Sequence, residues 1–103
     1  MVYYNNKADS DLDNILEGLF TWQKHTLTRD FCLSYVSDIV DVCDSLDAKA
    51  FHLNASYETH KRYGEKVHKY VRNKSTTWYI IYDIDECNNV YINKIISNHM
   101  TIS

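Results

Sequence analysis

Proline is absent from this 103-residue chain, and glycine occurs only twice. That excludes collagen-like repeats, flexible linkers and a turn-rich β-barrel. Cysteine is scarce: Cys32, Cys43 and Cys87 make an odd number with no C-x-x-C spacing, so neither a disulfide framework nor a zinc site is expected. No apolar run approaches the roughly 20 residues of a membrane helix. The opening Met1-Val2-Tyr3-Tyr4 turns polar at once, so no secretory leader is expected. The expectation is a cytoplasmic protein with reduced thiols, no membrane, no metal and no cofactor.

What is present points to one packed domain spanning residues 1–103. Hydrophobic residues make up 45% of the chain, too many for disorder, and nine tyrosines are available for a core or a groove. The net charge of -3 is unevenly spread. Residues 1–50 hold nine acids against four bases, whereas residues 51–103 hold five acids against seven bases. Between His60 and Lys74, six bases face only Glu65. An acidic domain with such a stripe can meet an anionic partner through the stripe alone.

Val2 to Tyr4 reads as a first strand. Leu12, Ile15, Leu16, Leu19 and Phe20 recur at helical spacing, which predicts a helix over 9–24 capped by Asp9 or Ser10. Asp11, Asp13, Asn14 and Glu17 are assigned to its wet side. Thr28 opens a second helix over 28–46, with a stripe of Phe31, Tyr35, Ile39, Val42 and Leu46. Cys32 and Cys43 flank that stripe as small buried hydrophobes. Residues 48–64 are aperiodic, with one helical turn near Ser56 to Arg62 stopped at Gly64. Strands follow at 66–72, 76–84 and 90–97; the middle one is apolar on both faces, as a central strand should be. The sum is a two-layer α+β domain. A first strand and a helical hairpin pack on one face of a largely antiparallel four-stranded sheet, and the other face stays open as a groove.

The order of these elements, with Lys7-Ala8-Asp9-Ser10-Asp11-Leu12, Trp78-Tyr79-Ile80-Ile81-Tyr82 and Val90-Tyr91-Ile92 running to His99, resembles the RelE/ParE toxin superfamily of bacterial type II toxin–antitoxin systems. The resemblance covers most of the chain. It implies a RelE/ParE-like fold and a toxin neutralised by a cognate antitoxin, with either ribosome-bound mRNA or DNA gyrase as target. A homodimer is a further assembly open to it. For the cleaving members it implies a ribosome-dependent endoribonuclease. A base then frees a 2′-hydroxyl to attack phosphorus, a cation holds the developing charge and an acid protonates the leaving oxygen. Carried onto this chain, the catalytic candidates are Arg72, His99 and Lys69. Lys66, His68, Tyr70, Tyr79 and Ile81 would line the nucleic-acid or partner groove. One position departs from the pattern: Tyr79 stands where cleaving members carry an arginine, and a phenol brings no fixed charge to a phosphate. That leaves open a non-catalytic binding protein of the same fold.

Overall fold

A computed structural model describes residues 1–22 and 28–99. Strand β1 (Val2–Tyr4) leads directly into helix α1 (Asn6–Trp22). The helix begins earlier than its apolar period suggests. Asn5 caps it, its Oδ1 accepting the Ala8 N–H at 2.8 Å, so neither Asp9 nor Ser10 is the cap. The expected end of this helix near residue 24 lies outside the described residues. Thr28 does cap helix α2 (Arg29–Asp44), accepting the Phe31 N–H at 3.1 Å. Of the expected stripe, Ile39 and Leu46 are buried and Tyr35 and Val42 pack against the core, with Cys32 and Cys43 buried beside them; Phe31, at the start of the helix, is exposed. A 3-10 turn (Leu46–Ala48) then leads to a two-residue strand β2 (Leu53–Asn54) and a short helix α3 (Glu58–Lys61). Strands β3 (Lys66–Val71), β4 (Thr77–Ile84) and β5 (Val90–Ser97) follow.

The sheet has five strands in the order β1-β5-β4-β3-β2. The β5–β4, β4–β3 and β3–β2 pairs are antiparallel, whereas β1 pairs parallel with β5, Val2 opposite Val90. The sheet is therefore mixed and five-stranded, which corrects the four-stranded expectation. Strand β2 escapes sequence reading because two exposed residues have no period.

Both long helices lie on one face, as expected of a helical hairpin that must bury a shared stripe. Ala8 from α1 and Ile39, Cys43 and Leu46 from α2 and the 3-10 turn meet Trp78, Ile80 and Tyr82 of β4 and Val90, Ile92 and Ile95 of β5. The two aromatic polar tips in this layer are satisfied. Trp78 Nε1 donates to Tyr35 Oη at 3.0 Å, and Tyr82 Oη lies 2.6 Å from His52 Nδ1. Among the described residues, no helix is long and apolar enough to cross a membrane.

The opposite face is not the bare groove that the sequence suggests. Alternation turns Tyr79 and Ile81 to this side, yet Ile81 is fully buried. The chain from Ala55 to Gly64 folds back over it. The buried His60 ring lies 4.8 Å from Tyr79, and Gly64 sits so close that a Cβ there would meet Tyr82 O at 3.0 Å and Ile81 Cγ2 at 3.1 Å. Strand β5 has a further cover at its outer edge. Pairing with β1 stops at Ile92. Beyond it, Asp11 of α1 accepts the Ile95 N–H and the Lys94 ammonium, both at 2.9 Å. Asp11 is thus buried against the sheet edge and not on the wet side of its helix.

Candidate functional site

The turn between β3 and β4 is built by Asn73, whose Oδ1 accepts the N–H groups of Ser75 and Thr76 at 2.9 Å. The Arg72 N–H donates to Thr76 O at 3.0 Å and closes the turn. This geometry sends the Arg72 side chain toward the helices. Its guanidinium donates to Asp38 of α2, stacks 4.3 Å from the centre of the Tyr35 ring and lies 3.2 Å from Tyr70 Oη. The bond to Asp38 pushes the already high Arg72 pKa further up. Arg72 is therefore a permanent cation with a carboxylate in hand and an aromatic plane beneath it.

His99 follows the end of β5. Its Nε2 lies 3.3 Å from Thr76 Oγ1, so Thr76 stands between the Arg72 turn and the His99 ring. His99 and Thr76 line a cleft of about 590 Å³ between α1, α2 and the sheet, whose walls also include Ile15, Leu19, Tyr35 and Trp78. The walls are mainly apolar, and the cleft offers a reacting phosphate little charge.

Lys69 is placed elsewhere. It is exposed on the far face of the sheet, opposite Tyr79 in the β3–β4 register. The groove candidates are divided the same way. Lys66, His68 and Tyr70 turn to the helix side, where Lys66 Nζ donates to Asn54 Oδ1 at 2.6 Å and Tyr70 packs against the core. His68 Nδ1 lies 3.0 Å from Lys49 Nζ; burial, and then the Lys49 charge, push its pKa down, so the ring is a neutral acceptor. Tyr79 and Ile81 lie on the other face beneath α3 and its flanks. The structure thus joins Arg72 to Tyr70 and, through Thr76, approaches His99. It does not bring Lys69 to them, nor does it form one groove from Tyr70, Tyr79 and Ile81.

Sequence reading overlooked the residues that decide Arg72's environment. Asp38 and Tyr35 are three apart on α2, which puts both on one side of the helix. An acid beside an aromatic on a core-facing stripe was the available signal. A second cavity on the far face is bounded by Tyr57, Thr59, His60 and Tyr79. The His60 Nε2 is buried without a hydrogen-bond partner among the described residues, and burial pushes its pKa below the usual 6.5. Comparison of the chain with protein-family models, with curated proteins and with solved structures finds no match in any of the three.

Proposed function

We propose that this chain is the toxin-side member of a type II toxin–antitoxin pair with a RelE/ParE-like architecture, and that it works by binding its target, not by cleaving RNA. The observation that carries this reading is the state of the candidate catalytic set. Arg72 is committed to Asp38 and Tyr35, and Lys69 lies on the opposite face of the sheet. Charge stabilisation of a phosphorane needs a cation aimed at the reacting phosphate and preorganised there. An arginine already neutralised by an internal carboxylate does not supply that. Tyr79, where the resembling cleaving enzymes have arginine, fits the same reading. The strand–helix–helix order, with both helices on one face of a sheet closed by a β-hairpin, is the arrangement on which the resemblance rests. Such a protein would act in the cytoplasm, held by an antitoxin until released onto the ribosome or gyrase, and would need no cofactor.

The test is co-expression with the small open reading frame beside its gene, followed by purification, a translation-coupled mRNA cleavage assay and a gyrase supercoiling assay. The expected result is a two-chain complex and no cleavage by the released chain. Arg72→Ala should lower stability by about 1–2 kcal/mol through loss of the Asp38 pair, and His99→Ala should be silent. Recovery of one chain only would overturn the toxin–antitoxin reading. Cleavage that disappears in Arg72→Ala or His99→Ala would overturn the binding reading in favour of catalysis.

A further inference from the structure

The cleft between α1, α2 and the sheet carries three features that the proposed function leaves unused. Its size, about 590 Å³, falls in the range of sites that enclose a small organic molecule. Gly18 lines it from the interior of α1, a helix of 17 residues. Glycine weakens a helix interior, and a Cβ at this position would meet nothing within 4 Å, so no packing demands it. The missing side chain keeps the cleft open. A residue that breaks a local rule without a packing reason belongs with functional positions. The third feature is a pair of unused hydrogen-bond donors. Ser97 lines the cleft and is 3% exposed; its Oγ accepts the His99 N–H at 3.3 Å, and its own proton reaches no acceptor among the described residues. Tyr35 Oη accepts from Trp78 Nε1 at 3.0 Å and likewise donates to no described group. Trp78 links the two, since Ser97 is its partner on β5 and the Tyr35 hydroxyl is bonded to its indole. A hydroxyl that accepts without donating is ready for an incoming acceptor.

We propose that this cleft binds a small neutral molecule built on a fused aromatic ring pair and carrying a carbonyl oxygen. Neutrality follows from the charges around the cleft. Asp11 lines it, but its two oxygens are taken by the Ile95 N–H and the Lys94 ammonium. Arg72, against the Tyr35 ring, is held by Asp38. An ionic ligand would therefore lose its water without gaining a free countercharge. The flat aromatic body follows from the walls. The Trp78 and Tyr35 rings stand at 79° with centroids 6.4 Å apart, so a planar ring laid along one meets the edge of the other. Ile15 and Leu19 of α1 add aliphatic surface. The carbonyl follows from the two hydroxyls: it would accept from Ser97, with Tyr35 as the second donor. The proposal goes beyond the toxin–antitoxin reading and does not depend on it.

The experiment uses the purified chain and coumarin, which is neutral and bicyclic and has one lactone carbonyl. A titration followed on the Gly18 and Ser97 amides and the Trp78 indole N–H should give saturable shifts with a Kd below about 1 mM, as expected of a molecule this small. Coumarin-3-carboxylate, an anion at about pH 7.5, should bind at least about tenfold more weakly. Ser97→Ala should weaken coumarin about three- to tenfold, the contribution of one hydrogen bond, and leave indole, a ring pair without a carbonyl, within about twofold of its affinity for the unsubstituted chain. Gly18→Leu sends a side chain into the cleft from an open position. It should weaken both coumarin and indole at least about tenfold while the melting temperature holds or rises, because leucine is the better helix former. No saturable shift at the three reporting groups with millimolar coumarin overturns the proposal. Coumarin affinity unchanged in Gly18→Leu overturns it too, by placing the ligand elsewhere. Equal weakening of coumarin and indole by Ser97→Ala overturns the carbonyl assignment, and a carboxylate that binds as tightly as coumarin overturns the neutral one. None of these results bears on whether a second chain is captured in co-expression, so failure here leaves the toxin–antitoxin reading as it stands.

Discussion

Asp11 shows how much a single side chain can be misread from a helical wheel. It belongs to an acidic run, yet one oxygen takes the Ile95 N–H and the other takes Lys94. A β5 amide that β1 is too short to reach is thereby satisfied. Asp11→Ala leaves a buried N–H and a half-buried ammonium without acceptors. It should cost about 2–4 kcal/mol, read as a lower urea midpoint; a change below about 0.5 kcal/mol would show that water replaces the carboxylate. The two glycines make a paired test of opposite sign. A Cβ at Gly18 would meet nothing within 4 Å, so in the interior of α1 Gly18→Ala should stabilise by about 0.5–1 kcal/mol. Gly64 is pressed against Tyr82 O, Asn93 Nδ2 and Ile81 Cγ2, so Gly64→Ala should destabilise by about 1–3 kcal/mol through overpacking. Thermal melts of the two variants that shift in the same direction would contradict the close approach at Gly64.

At the scale of elements, the informative piece is α3, four residues long and held on the sheet by His60 between Tyr57 and Tyr79. A helix this short has no stability of its own. Its anchor is a buried imidazole whose pKa is lowered by desolvation. A lowered pKa on a base means that the opened form binds the proton first. The segment is therefore held most firmly above pH 6.5 and loosens as pH falls below it. Amide exchange across 59–64, corrected for intrinsic rates, should show lower protection at about pH 5.5 than at about pH 7.5. His60→Phe should remove that difference. Equal pH dependence in the variant would assign the effect to His68, which shifts the same way on the helix side of the sheet. The helical turn before Gly64 was legible because Gly64 ends a short polar run. That the turn lies over Tyr79 and closes the face was not legible, since the aperiodic stretch from residue 48 carries no direction.

For the whole molecule, the buried acids with neutral forms set the alkaline limit. Burial, and then Asp44, push the Cys43 thiol up to about 12 from 9.0, and burial pushes the Tyr82 phenol up to about 12 from 10.0. Tyr4 moves the same way through burial and its 2.5 Å bond to Asp44. Each group keeps its proton more tightly when folded. Above about pH 9 the unfolded chain therefore loses protons first, and stability should fall steadily toward pH 12. Urea midpoints between about pH 7 and 11 measure this, and Tyr82→Phe should flatten the upper part of the slope. A midpoint constant across that range would mean that these groups are wetter than their packing indicates. The sequence by itself determined the two long helices, the Thr28 cap, the buried Cys32 and Cys43 and the β4–β5 hairpin. These follow from local periodicity and capping, which neighbouring residues specify among themselves. Only the tertiary structure decided that β1 joins the sheet parallel at β5, that Asp38 claims Arg72, that Lys69 is parted from it and that α3 closes the far face. Each of those depends on which distant segments share the sheet and on the sense of their alternation. A one-residue change in the strand register would turn every side chain to the other face without altering the local pattern at all.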